Sequence, residues 1–185
     1  MAKLLRREEV PESAEATRVE ALIEDLANQD VSAREKARAE MLKAGGEAVD
    51  PLSRAMGDPR PEVRWEVARV LAELQSPAAL LALVAALEDE DGSVRWVAAD
   101  GLISLGRDAL RPVLEGLLDR SGSRLFREGA HRVLRHQISG EMHEVAAPVL
   151  AALEHSGAEA AVPLAAEDGL DRLRLKEAER RMRRR

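Results

Sequence analysis

Apolar side chains recur along this chain at helical spacing, and the spacing itself repeats. From Pro61 to Leu74 the apolar positions Val63, Val67, Val70, Leu71 and Leu74 stand three or four residues apart, with Arg64, Trp65, Glu66 and Arg69 between them. That is one apolar stripe along a helix. The pattern returns at Ser93-Val94-Arg95-Trp96-Val97-Ala98-Ala99-Asp100-Gly101-Leu102. Apolar columns align as Ala33/Val63/Val94/Phe126/Val162, Ala37/Val67/Ala98/Ala130/Ala166 and Met41/Leu71/Leu102/Leu134/Leu170. The period is about 30 to 32 residues until an insertion near Ser139-Gly140, and a repeat of this length that alternates helices and turns predicts helix pairs stacked on their neighbours.

Turn chemistry sets the boundaries. Val10-Pro11-Glu12-Ser13 breaks any leading helix, and the first outer helix carries Val19, Leu22, Ile23 and Leu26 on one face before Asn28-Gln29-Asp30 ends it. Its partner is expected over residues 32–44, stopped by Gly45-Gly46, since glycine accepts the left-handed backbone at a helix C-terminus. The following pairs are expected at 47–56 and 61–74, 77–88 and 93–105, 108–118 and 123–137, and 141–154 and 158 onward. Pro61 suits a first-turn position, where no backbone donor is needed. The expected organisation is a flexible or short helical leader at 1–12, a repeat domain at 13–176 and a basic tail at 177–185.

Three polar columns accompany the apolar ones. Arg34, Arg64, Arg95 and Arg127 open successive second helices; Asn28, Asp58 and Asp89 stand six residues before the first three; Pro51 and Pro112 stand seven residues before Asp58 and Asp119. Proline in the first helix, aspartate in the turn, then Val-Arg opening the second helix resembles the HEAT-repeat family, in particular its short bacterial type named after phycobilisome lyases. The resemblance covers about residues 15 to 175 and implies an all-α fold, an α-α superhelix of about five helix pairs. Asn28 replaces the aspartate in the first turn and Pro163 stands where a fifth arginine belongs, departures at the ends that suggest a less regular fifth repeat. An aspartate at a helix start accepts free amides and favours the dipole. A neighbouring arginine can bridge it to the next repeat, so Asp58, Asp89, Arg34, Arg64, Arg95 and Arg127 are expected to form a structural ladder.

The direction opposite the apolar stripe is occupied by Trp65, Arg69 and Ala72, at about 100° per residue. The resemblance implies that second helices line a concave face. The expected rows there are Glu35, Trp65, Trp96, Glu128, Leu164; Ala39, Arg69, Asp100, Arg132, Asp168; and Leu42, Ala72, Ile103, Arg135, Asp171. Two outward tryptophans rimmed by arginine and aspartate have the make-up of an interaction hot spot. The candidate binding residues are therefore Trp65, Trp96, Arg69, Asp100, Ile103, Leu42, Arg132 and Arg135. The competing reading has each Trp folded onto its neighbour to close the groove between helices.

Composition narrows the chemistry. Hydrophobic residues make up 45% and aromatics only 2%, the balance of helices packed on helices. With no cysteine, thiolate metal sites, disulfides and cysteine nucleophiles are excluded. No apolar run approaches a signal core or a membrane span, and the expectation is a cytoplasmic protein. The net charge of −6 divides into +6 on residues 172–185 and −12 on the remainder. An acidic body does not suit a phosphate backbone; the basic tail leaves room for a weak contact with nucleic acid or anionic lipid.

Histidines 131, 136, 143 and 155 all lie in the last third, with His143-Glu144 the one His-Glu dipeptide. Deoxyhypusine hydroxylase, an iron enzyme on this repeat scaffold, uses several such pairs; bilin lyase subunits share the repeats as well. Neither a metal set nor a phosphate loop nor a Ser-His-Asp order is evident. The expected function is a non-enzymatic scaffold, without cofactor or metal, that binds a protein or peptide on the concave face. The alternatives are a metal-dependent oxidoreductase and a bilin lyase-type chaperone subunit.

Overall fold

The computed structural model describes residues 14–137 and 140–184; the expected leader at 1–12 lies outside them. Ten α-helices follow one another: α1 (Ala14–Leu26), α2 (Val31–Ala44), α3 (Val49–Ala55), α4 (Pro61–Leu74), α5 (Pro77–Ala86), α6 (Gly92–Ser104), α7 (Leu110–Asp119), α8 (Arg124–His136), α9 (His143–Glu154) and α10 (Ala158–Arg183). There is no strand among the described residues.

The first four pairs build two layers. The outer layer is α1, α3, α5 and α7; the inner layer is α2, α4, α6 and α8, with α4 packed on α6 and α6 on α8. Between the layers lies one continuous core: Val63, Val67 and Leu71 of α4, Val94, Ala98 and Leu102 of α6, and Phe126, Ala130 and Leu134 of α8 are all fully buried. These are the columns of the repeat, so the periodicity maps directly onto burial.

Two devices set the spacing of the stack. Gly45 and Gly106, with φ of 60° and 58°, turn the chain from inner to outer helix, a left-handed conformation that glycine adopts without a Cβ clash. Gln75 takes φ 48° at the equivalent turn, and Ser76 then caps α5 by accepting the Ala78 amide. Gly101 brings α6 against α4: a Cβ there would stand 2.6 Å from the Ala72 Cβ.

The fifth pair departs from the expected arrangement. α9 packs on α8, where the next inner helix would stand, while α10 packs on α9 and on the outer helix α7. Gly169 permits the approach, since a Cβ there would meet Val149 Cγ2 at 3.3 Å and Leu114 Cδ1 at 3.5 Å. Ion pairs at 2.7 Å join Arg111 to Glu177 and Lys176 to Glu144, pinning α10 to α7 and α9. The expected inner-row residues Leu164, Asp168 and Asp171 therefore stand apart from the inner layer, and Leu164 is 73% exposed. The sequence reason is local: Pro163 replaces the arginine that closes each earlier turn, and α10 opens instead from Gly157 at φ 97°.

Candidate functional site

The recurring polar columns act first on their own turns. Side chains of Asn28, Asp58 and Asp89 accept the amides of Asp30, Arg60 and Asp91 at 2.9, 2.8 and 2.8 Å. Across each of these turns an arginine Nη1 donates back to a carbonyl: Arg34 to Asn28 at 2.7 Å, Arg64 to Asp58 at 2.8 Å and Arg95 to Asp89 at 2.7 Å. Arg127 donates likewise to the Ser121 carbonyl. The helix starts themselves are capped one step later, by Asp30 on α2, Asp91 on α6 and Ser123 on α8.

Contacts between repeats are less uniform. Arg64, buried, meets Asp89 through Nε and Nη2, both at 2.8 Å, a bidentate pair that crosses from the second repeat to the third. Asp89 raises the pKa of Arg64 chiefly through this hydrogen bond. Arg34 reaches across only to Glu66, at 3.6 Å. Asp58 is instead held by Arg60, which hydrogen-bonds its carboxylate and lowers its pKa, and Arg60 also grips Glu24 of α1 at 3.0 Å. This Glu24–Arg60–Asp58 chain was not visible in the sequence, because Arg60 falls outside the repeating arginine column.

The tryptophans lie on the inner layer's exposed side. Trp65 is half-buried, with the Arg69 guanidinium 5.4 Å from its ring centre. Trp96 is 51% exposed, and its ring is faced by Arg132 of the next repeat at 5.0 Å. Arg132 also stands 3.8 Å from Asp100, and Arg69 lies 3.7 Å from Glu73. The charges around the rings are thus paired with one another, and each guanidinium on a ring is an attractive contact of about 0.5–1 kcal/mol at an exposed site. Leu42 and Ile103 are half-buried against the core, and Arg135 is exposed near the end of α8. Beside Trp65 opens a cleft of about 760 Å³, floored by Leu26, Ala27, Pro61 and Trp65 and edged by Glu62 and Asp91.

Paired helices in two layers, with an Asn or Asp and an Arg closing each of the first three turns into an inner helix, characterise the first half of the chain. Residues 19–91 match the family model for HEAT repeats. No curated protein sequence matches the chain. The matched residues run from within α1 to the capping residue of α6, and so include Trp65, the Arg64–Asp89 pair and all of the adjoining cleft's lining but Ser93. HEAT repeats generally mediate protein–protein interaction and are typically scaffolds without catalytic activity.

Three of the four histidines serve local contacts. His131 Nε2 lies 3.0 Å from Glu154 Oε1, clamping α8 to α9, and His136 and His155 bond to the carbonyls of Arg132 and Ser156. Glu144, beside His143, is engaged by Lys176, whose hydrogen bond lowers its pKa. Among the described residues no three His, Asp or Glu side chains gather as a metal-binding group, and no helix is long and apolar enough to cross a membrane.

Proposed function

We propose that this protein is a scaffold that binds a partner protein, or an extended peptide, along the surface of its inner helices, with Trp65 and Trp96 as anchors. The observation that carries the reading is the half-exposed ring of Trp96 on α6, an inner helix whose other apolar side chains are buried or half-buried. The core is closed without it, because the Val94, Ala98 and Leu102 column fills the space between layers. An aromatic left half in water, held flat by Arg132, offers a rigid apolar surface at small cost in side-chain entropy. Trp65 on the adjacent repeat extends the surface, and Asp100, Arg132 and Arg69 supply a polar rim; Leu42 and Ile103 continue the apolar strip, with Arg135 at its edge. The 31-residue spacing from Val63 to Val94 and the prolines Pro51 and Pro112 support the short bacterial type of the repeat.

The test is affinity capture from source cells with wild-type protein and with Trp65→Ala/Trp96→Ala, followed by titration of the purified pair. Truncating a hot-spot tryptophan costs about 2 kcal/mol or more, roughly thirtyfold in affinity. Loss of the partner with an unchanged melting curve supports the reading. Full retention of the partner by the double variant refutes it.

A further inference from the structure

The charge of this chain is segregated in space as well as in sequence. Residues 14–105, which build the first three pairs, hold 18 carboxylates against 10 basic side chains, a net of −8. Residues 172–185 hold +6. The cleft beside Trp65 lies in the acidic part; its lining carries exposed Glu62, the α6 capping residue Asp91 and Glu66, the last ion-paired at 3.6 Å with Arg34, which lines the cleft as well, so that Glu62 is the carboxylate left facing outward. Its apolar floor gives it more than charge, since Ala27, Pro61 and Trp65, backed by buried Leu26, present carbon to an incoming side chain.

The arginine-rich end of α10 has the complementary make-up. Leu175 and Met182 are 66% and 69% exposed, and at seven residues apart they share one helix face. Arg181, Arg183 and Arg184 surround them and are exposed. The helix runs unbroken to Arg183, so this segment is presented as a formed helix that loses little entropy on docking.

It does not reach the cleft of its own chain. Glu177 is fixed on Arg111 at 2.7 Å, beside Gln75, Pro77 and Leu105, where inner helices end. The cleft lies where they begin, at Pro61 and Asp91, and α4 between these ends has 14 residues, about 20 Å at 1.5 Å per residue. Near its start α10 passes Gly122, at the cleft's edge of the stack, with Glu159 3.6 Å from the Cβ position there; it therefore travels away from that edge as it approaches Arg183.

We infer that the arginine-rich end of α10 in one copy docks into the cleft beside Trp65 of a second copy, the arginines meeting Glu62 and its acidic neighbours and Met182 meeting the apolar floor. Opposite surfaces are used on the two copies, a head-to-tail contact. It is independent of Trp96 and of any partner on the rest of the inner face.

The test is sedimentation velocity of the full chain, together with titration of a labelled peptide of residues 172–185. At about 50 mM salt the chain is expected to associate with rising concentration, and at about 400 mM to return to monomer, because exposed charges are screened. Glu62→Lys weakens peptide binding about fivefold to tenfold, and Trp96→Ala leaves it unchanged, which separates this contact from the scaffold reading. Arg181→Glu/Arg183→Glu, at an exposed helix end, abolishes association even should Glu62→Lys fail to fold. Mixing the two variants restores association, since one supplies an intact helix end and the other an intact cleft. Monomer at every concentration with no peptide binding overturns the inference. So does peptide binding that Glu62→Lys leaves unaltered, or capture of a persistently monomeric chain by anionic vesicles or RNA.

Discussion

Replacing Arg64 with alanine separates a cross-repeat rung from simple closure of a turn. Arg64 is 6% exposed and makes two bonds of 2.8 Å to Asp89 in addition to its 2.8 Å bond to the Asp58 carbonyl. Removing one member of a buried ion pair costs about 3–5 kcal/mol, most of it from stranding the other charge. Here Asp89 keeps one donor, the Asp91 amide at 2.8 Å, so the lower end, about 3 kcal/mol, applies. For a chain of this size that corresponds to a fall in Tm of about 6–12 °C.

Arg34 makes the same turn closure, at 2.7 Å to the Asn28 carbonyl, but its side chain is 30% exposed and meets Glu66 only at 3.6 Å. Arg34→Ala should cost about 1 kcal/mol, the loss of ordinary hydrogen bonds. The assay is thermal and urea unfolding of both variants, with peptide or partner binding measured below the transition. Equal losses of stability in the two variants would refute the argument that the Arg64–Asp89 pair joins repeats. Arg64→Met with Asp89→Leu should recover most of the loss, since an apolar pair leaves no charge stranded.

Gly101→Ala should destabilise by about 1–3 kcal/mol through overpacking, because its Cβ would lie 2.6 Å from that of Ala72; adding Ala72→Gly should restore part of this, as measured by urea unfolding. Acid should weaken the fold below about pH 4: Arg60 depresses Asp58 and Glu24, the Ser93 hydroxyl and the Val94 and Ser93 amides depress Asp91, and Lys176 depresses Glu144. A carboxylate with a lowered folded-state pKa stabilises above its unfolded value and loses that contribution as pH falls, so a Tm that holds steady from pH 6 to about pH 3 would contradict these pairings. In single-tryptophan variants, Trp96 should be quenched by acrylamide more readily than Trp65, since Trp96 is 51% exposed and Trp65 half-buried.

The repeat was legible because burial in a stack of helices imposes one apolar column per facing position. Val63, Val94 and Phe126 occupy equivalent places and all are fully buried. One turn signal was equally plain: Gly45, the expected stop of the second helix, lies at φ 60°, as glycines at helix ends do. That both tryptophans lie off the apolar stripe was legible from helical geometry, but how far each is exposed was not: Trp96 is 51% exposed and Trp65 packs partly against the core. What faces them was not, since Arg132 reaches Trp96 from a helix some thirty residues on. Arg60 escaped notice for the same reason: its partner Glu24 is 36 residues away in sequence.

By itself, then, the sequence determined the class of fold and the apolar columns of its core, because both follow from contacts repeated within about thirty residues. The tertiary structure decided which cross-repeat contacts form. It selected Asp89 for Arg64 and Arg60 for Asp58 from a field of similar carboxylates and cations, and it set α10 against α7 instead of in the inner row. Those choices depend on how closely helices approach, at Gly101 and Gly169 above all, and distance between elements is a property that no local pattern records.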